Sequence, residues 1–336
     1  MCEPVPAQEQ QARTRDLHRL ALQLGGVLCL LLASELAVSG IVSAVADFLA
    51  VLGLDVSPWL GRSTTPGVLV HILIYISLFA APCAVFFKLM GHSPRRVVSN
   101  TPCGLRPYIW VTCISIFASE IFGFLSIFIT ILLEKHGLTV PGLSSQPPAS
   151  LVGAVLYFLS SAVLPAVLEE LFFRGIVLRS LAPYGKALAL TVSSLAFGLI
   201  HCTVQQIPYA VAAGFCIGFF VLKYDNFRLG VTAHFINNAT SVIFQYLRFL
   251  LSPALFSRVF LFREKFFIVA GTLCVAWFLW REKRPFAFLA ERTLPRKDLV
   301  KAAFSPLLLL FYALCLLLTL FTLFRPVILA LLEELL

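Results

Sequence analysis

The stretch Leu168-Glu-Glu-Leu-Phe-Phe-Arg-Gly175 places three charged side chains in one of the most apolar parts of the chain. A charged side chain near the centre of a bilayer costs roughly 3 kcal/mol on insertion scales, so such a cluster indicates function. On a helix, Glu170 and Arg174 are four residues apart and can form an ion pair, whereas Glu169 points about 100° away. We therefore expect Glu170 to be structural and Glu169 to be available for chemistry. The alternative is that the segment only ends a membrane helix at the interface.

The composition excludes a water-soluble globular protein. Of the 336 residues, 59% are hydrophobic and only 13% are charged, and the mean hydropathy is +0.92. Near-continuous apolar runs of about 17 to 25 residues, without a period of two, predict membrane helices rather than barrel strands. We predict an all-α polytopic membrane helical bundle with eight or nine transmembrane helices. The predicted spans are residues 18–41, 67–90, 108–134, 150–180, 187–203, 207–223, 228–250, 265–281 and 304–325.

The basic residues indicate the orientation of these spans. The segments on the side of the N-terminus hold 18 Lys and Arg residues, whereas the segments on the other side hold seven. The positive-inside rule then predicts a cytoplasmic N-terminus. The first nineteen residues are polar and contain no short apolar core, so we expect no cleaved signal peptide. The basic loop 281–301 would lie against the anionic inner leaflet, which explains the net charge of +9 without a nucleic-acid partner. The nine scattered cysteines form no CxxC pair, which is typical of packing residues.

Two later segments also place polar side chains where polarity is costly. Phe197 precedes His201 by four residues, and His234 precedes Asn238 by four, so each pair can share one face of a helix. With a rise of ~1.5 Å per residue, Glu169, His201, His234 and Asn238 lie about 16, 21, 9 and 15 Å from the cytoplasmic boundary of the bilayer. We expect these four side chains to meet in one cavity.

The chemistry available to this set is hydrolysis. A carboxylate in a poorly solvated site is a stronger base than one in water, and a histidine can share the proton that it takes. A second histidine and an asparagine can donate hydrogen bonds to a developing oxyanion. Cys202 is a poor candidate nucleophile, because adjacent helical residues point about 100° apart and His201 is its neighbour.

Three further features of the spans bear on their structure. Pro165 removes a backbone hydrogen bond four residues before Glu169 and predicts a kink there. Ala210, Gly214 and Gly218 are spaced by four, which favours close approach of another helix of the same chain. Glu35 is an isolated acid at mid-depth, for which the sequence suggests no partner.

The motifs resemble those of the CPBP family, also called Abi, which comprises membrane-embedded CAAX prenyl proteases and bacterial bacteriocin-processing or immunity proteins. Its motifs EExxxR, FxxxH and HxxxN occur here in that order, within about residues 150–245. The resemblance implies that Glu169 activates water with help from His201, and that His234 and Asn238 form the oxyanion hole. The residues with an implied supporting role are Glu170, Arg174 and Phe197.

The resemblance also implies a domain organisation. The expected order is a cytoplasmic tail 1–19, N-terminal spans 20–148, a catalytic core 149–250, and C-terminal spans 251–336 with the basic loop 281–301.

Cofactor and substrate are left open by the residues. A metal-free glutamate and histidine mechanism gives the asparagine and second histidine a defined role; alternatively Glu169, His201 and His234 would hold a single divalent metal such as zinc, as in a metalloprotease.

The short, loop-poor chain resembles the bacterial branch, so we expect a bacterial cytoplasmic membrane. The expected substrate is a membrane-associated peptide or protein, with the lipid bilayer as the other partner.

Two other functions are compatible with the same residues. A transporter or ion pathway also uses buried acids and histidines, but the chain shows no inverted repeat of broken helices. A non-catalytic immunity or scaffold protein would retain the fold without the reaction. The sequence favours the protease over both.

Overall fold

The computed structural model describes residues 7–91, 97–138 and 146–335. This part of the chain is 83% helical without strands, which confirms the predicted all-α bundle. The helices are α1 (Ala7–Val51), α2 (Ser57–Leu60), α3 (Thr65–Met90), α4 (Leu105–Lys135), α5 (Leu151–Leu181), α6 (Lys186–Leu199), α7 (Ile207–Tyr224), α8 (Phe227–Leu250), α9 (Pro253–Arg281), α10 (Arg296–Ala303) and α11 (Pro306–Leu335). Arg95 and Arg96, which the orientation count includes, lie outside the described residues.

Six helices of the described chain are long and apolar enough to cross a membrane: α1, α3, α4, α5, α7 and α11. This number is smaller than the predicted eight or nine spans. Helix α6 is too short at 14 residues. Helices α8 and α9 are long enough, at 24 and 29 residues, but the polar residues within them lower their hydropathy. The chain is an integral membrane protein with a polytopic helical bundle.

Helix α5 is irregular on both sides of the acidic pair. Residues Leu159–Val163 and Leu171–Leu178 are π-helical, and the α-helical segment Leu164–Glu170 lies between them. Pro165 has no N–H for a regular helical hydrogen bond, and the disturbance expected from it takes the form of the wider turn that precedes it. Such wide turns are frequent at functional sites.

Helices α6 and α7 pack closely through the predicted stripe of small residues. A Cβ atom on Gly214 would lie 3.3 Å from the Cα atom of Ser194, and one on Gly198 would lie 2.9 Å from the backbone nitrogen of Val211. Helix α6 is about 21 Å long, shorter than the ~30 Å hydrocarbon layer. The turn that follows it therefore lies within the depth of the bundle.

The structure corrects the end of the predicted span 187–203. The helix ends at Leu199, so His201 lies in the following turn rather than on the helix. Cys202 adopts a left-handed conformation with φ of 48°, which a helix cannot contain. Irregular backbone at membrane depth is tolerated where it lines a polar cavity, and this turn meets that condition.

The bundle has two chemically different ends. At one end, which we call the basic end, α5 leads to α6, α7 leads to α8, and α9 leads through residues 282–305 to α11. Three ion pairs join its segments: Arg179–Asp225 at 2.9 Å, Lys186–Glu291 at 2.7 Å and Lys223–Glu282 at 3.0 Å. The opposite end contains the connections from α1 to α3 and from α8 to α9.

The two ends provide a test of orientation. A protease-cleavable tag inserted after Gly53 would lie at the opposite end, and the same tag after Lys283 would lie at the basic end. In sealed vesicles, an added protease should remove only one of the two tags. The positive-inside rule predicts that the tag after Lys283 faces the cytoplasm. Removal of both tags from the same side would contradict the arrangement of the helices.

Candidate active site

The centre of the polar site is a fully buried ion pair. Arg174 Nη1 lies 3.0 Å from Glu170 Oε1, and both side chains are 0% exposed. This is the pair expected from the four-residue spacing. The guanidinium of Arg174 also stacks over the Phe197 ring at 4.2 Å and contacts the Gly214 carbonyl at 3.5 Å. Burial of two charges is costly, so this arrangement is stable only because each charge has close partners.

His234 lies between the two carboxylates of the acidic pair. Its Nδ1 is 3.0 Å from Glu170 Oε1, and its Nε2 is 3.8 Å from Glu169 Oε2. The carboxylate of Glu170 accepts a hydrogen bond from the Nδ1–H group of His234, which leaves Nε2 directed at Glu169. Glu170 therefore fixes two side chains at once, the guanidinium of Arg174 and the imidazole of His234.

Glu169 receives its partner from α3, outside the predicted motifs. The Tyr75 hydroxyl donates a short hydrogen bond to Glu169 Oε1, while Oε2 faces His234. Tyr75 is not among the site residues predicted from the sequence. A signal was present, because His71, Tyr75 and Phe79 are spaced by four on an apolar helix and so place two polar rings on one face.

His201 is held by the backbone that precedes it. Its Nδ1 lies 2.9 Å from the Phe197 carbonyl, which can only accept a hydrogen bond. A neutral His201 therefore carries its proton on Nδ1 and has an unprotonated Nε2. The Phe197 ring lies edge-on to both imidazoles, at 5.5 Å from His201 and 5.6 Å from His234 between ring centroids.

These groups line one cavity of about 950 Å³. The residues lining it include Glu169, His201, His234, Asn238 and Tyr75. The cavity extends from the middle of the bundle towards the opposite end, because its lining also includes Ser43 near the end of α1 and Gln245 near the end of α8. The three sequence motifs thus meet around one space.

Residues 151–240 match the family model of type II CAAX prenyl endopeptidase Rce1-like proteins. This segment is similar to an Rce1-like domain, and we refer to it by that name. No curated protein and no solved structure gives a significant match to the chain. The Rce1-like domain runs from the start of α5 into α8 and includes the three motifs, whereas Tyr75 lies outside it on α3.

The sequence offers Glu169, His201 and His234 as possible ligands of a single metal ion. Within the described residues, no group of three or more His, Cys, Asp and Glu side chains is arranged to hold a metal ion. His234 Nδ1 is occupied by Glu170 and His201 Nδ1 by the Phe197 carbonyl, so each imidazole has only Nε2 to offer. The set Glu169, His201 and His234 is not arranged as a metal site here and stays a prediction.

Two further acids reach the same cavity from outside the Rce1-like domain. Glu35, for which the sequence suggested no partner, lines it from α1. Glu120 lines it from α4 and forms an ion pair of 2.7 Å with Arg263, which also pairs with Glu264. Cys202 is absent from the lining, and its sulfur lies 3.5 Å from the Leu199 carbonyl, which does not favour a thiol nucleophile.

Replacing Gly230 with Ala should disturb the acidic pair. A Cβ atom there would lie 2.5 Å from Glu170 Oε2, so the carboxylate has to move away from its partners. We expect destabilisation of about 1–3 kcal/mol, measured as unfolding in detergent. Gly123→Ala is the matched control, because it has nothing within 4 Å and alanine favours a helix. Equal stability of the two variants would contradict this role for Gly230.

Removing one member of the buried pair should cost more than removing both. Arg174→Met leaves Glu170 buried without its cation, and we expect a loss of about 3–5 kcal/mol in unfolding free energy. The double variant Glu170→Gln/Arg174→Met removes both charges and should recover part of that loss. A double variant as unstable as the sum of the single variants would show that the charges are not coupled.

Proposed function

We propose that the chain is an intramembrane endopeptidase that hydrolyses a peptide bond of a membrane-associated peptide or protein. The convergence of Glu169, His201, His234 and Asn238 on one cavity inside the bundle carries this proposal. The match of residues 151–240 to a CAAX prenyl endopeptidase model supports the class of reaction. A lipid-anchored peptide is the substrate class that suits a cavity placed within a membrane.

Glu169 is the proposed general base. Tyr75 holds one of its oxygens, so the other is directed at the space in front of His234. The gap of 3.8 Å between Glu169 Oε2 and His234 Nε2 is longer than a direct hydrogen bond and is of the kind that a bridging oxygen fills. A water held there and by His201 Nε2 loses its proton to Glu169 as its oxygen attacks the peptide carbonyl.

The oxyanion that forms needs hydrogen-bond donors. Asn238 supplies an amide N–H₂ from the same cavity wall as His234. His234 donates from Nε2 only as the imidazolium, because its Nδ1 proton already serves Glu170. The carboxylates on both sides of the ring compensate that positive charge. Collapse of the intermediate breaks the C–N bond, and Glu169 returns the proton to the leaving amine.

This is the glutamate-type version of the mechanism; the hydrogen bonds at Nδ1 of the two imidazoles leave Nε2 of each ring free and are compatible with either version. In the metallo-type version, Glu169, His201 and His234 would ligate one divalent ion, which would activate the water. Metal analysis of purified protein, together with activity before and after a chelator, distinguishes the two versions.

Substitution of the proposed base tests the function. Glu169→Gln and His201→Ala should each lower turnover of a cleaved peptide by about 10²–10⁴-fold and leave the protein folded. Tyr75→Phe removes one hydrogen bond to the base and should lower turnover by about tenfold. Glu134→Gln, at an exposed acid at the end of α4, is the control and should be fully active. Full turnover by Glu169→Gln would refute the proposal.

A further inference from the structure

The wall that α1 contributes to the cavity contains one carboxylate, Glu35. Of the described residues, three carboxylates line the cavity: Glu35, Glu120 and Glu169. Glu120 forms an ion pair with Arg263, and Glu169 accepts a hydrogen bond from Tyr75. Within the same described part of the chain, no side chain forms an ion pair or a hydrogen bond with Glu35. Glu35 is therefore free to bind a cation that enters the cavity.

Glu35 lies near the proposed base. Its charge and that of Glu169 are close enough to repel each other. This repulsion and the poor solvation inside a membrane bundle both raise the free energy of the unpaired carboxylate. A cation bound at Glu35 would lower it. An ionisable residue within a membrane span is a functional-site candidate by default, and the missing partner of Glu35 has to come from a ligand.

The surroundings of Glu35 on α1 indicate which kind of cation fits. Leu31, Val38 and Val42 also line the cavity, and their spacing places them on the same face of the helix as Glu35. The carboxylate thus lies within an apolar stripe. Lysine and arginine side chains match such a stripe, because they bury their methylene stems on apolar surface and present the charge at the end.

An inorganic cation fits this wall less well. Such an ion needs several oxygen or nitrogen ligands around it. Among the described residues, no group of three or more His, Cys, Asp and Glu side chains is arranged to hold one. A basic side chain needs only one carboxylate as its partner.

We propose that Glu35 binds the side chain of a lysine or arginine of the peptide substrate, close to the bond that is cut. The inference rests on the proposed endopeptidase function and adds a specificity-determining residue to it. Successive side chains of an extended peptide point to opposite sides, so a backbone held against Glu169 directs side chains at the walls of the cavity. Glu35 then contributes to binding, and its effect lies in KM rather than in kcat.

The probe that tests this proposal is a pair of peptide pools in a nonionic detergent. Each peptide carries an N-terminal palmitoyl chain, which blocks the α-amino group. In one pool a single lysine is scanned through a neutral sequence, and in the other pool uncharged norleucine takes its place. Products of the purified full-length protein are identified by mass spectrometry. We expect cleavage at a fixed distance from the lysine, with kcat/KM about tenfold higher or more than for norleucine.

Substitution of Glu35 assigns the preference to this residue. Glu35→Gln should remove it and leave cleavage of norleucine peptides within about twofold of wild type, whereas Glu35→Asp should keep part of it. Because Glu35→Gln removes a charge that has no partner, the variant should be at least as stable as the wild-type protein in detergent. If Glu35→Gln lowers cleavage of both pools equally, Glu35 is only structural and the proposal is overturned.

A matched control removes a negative charge elsewhere on the same helix. Asp47 is exposed on α1 and does not line the cavity, so Asp47→Asn should keep the full preference for lysine. A preference that survives in Glu35→Gln would place the cation at another acid and overturn the proposal.

The outcomes separate this inference from the function on which it rests. Equal, Glu169-dependent cleavage of both pools would overturn the role of Glu35 and leave the endopeptidase function intact. Repeating the assay with phosphatidylethanolamine added covers the other source of an ammonium group, a lipid headgroup. A Glu35-dependent rise in turnover with that lipid, without a preference for lysine, would also overturn the proposal. Absence of Glu169-dependent cleavage in both pools would overturn the endopeptidase function and, with it, the inference.

Discussion

The buried pair of Glu170 and Arg174 determines how α5, α6 and α8 are arranged around the cavity. Neither charge can be left without a partner in an apolar interior, because an isolated buried ion costs several kcal/mol. The pair therefore requires particular neighbours: the Phe197 ring over the guanidinium and the His234 imidazole on the carboxylate. Those neighbours come from α6 and α8. One electrostatic requirement on α5 thus fixes two other helices, and Gly230 supplies the space in which the carboxylate fits.

The cavity follows from the shortness of α6. A helix of about 21 Å cannot cross the hydrocarbon layer, so its terminal turn has to end inside the bundle. Backbone N–H and C=O groups that form no hydrogen bond within a helix need water or other protein groups as partners at that depth. The turn obtains them partly from its own side chains, since His201 bonds the Phe197 carbonyl, and partly from α11, where Thr322 donates to the Cys202 carbonyl. A histidine in this turn thus lines the cavity.

Contacts that depend on the spacing of residues within one helix, such as the pairing of Glu170 with Arg174, could be predicted from the sequence. The sequence also predicted that the fold is an all-α membrane bundle, because a continuous apolar run is a local property. The meeting of Glu169, His201, His234 and Asn238 was expected from their similar depths, but a partner from a helix outside the motifs was not predictable, and so Tyr75 on α3, the partner of Glu169, was missed. The end of α6 was misplaced because its left-handed residue is Cys202, where a glycine would have signalled the turn. The predicted span count differs from the six candidate spans because α6 is too short to cross a membrane and because polar and charged residues lower the mean hydropathy of α8 and α9.

The charged groups of the cavity are distributed unevenly along its length, so its middle and its end differ in charge. Near the middle of α5, Glu170 is paired with Arg174, and both carboxylates of the acidic pair face the His234 imidazole. Towards the opposite end, Arg62 adds a positive charge that Ser161 orients without neutralising.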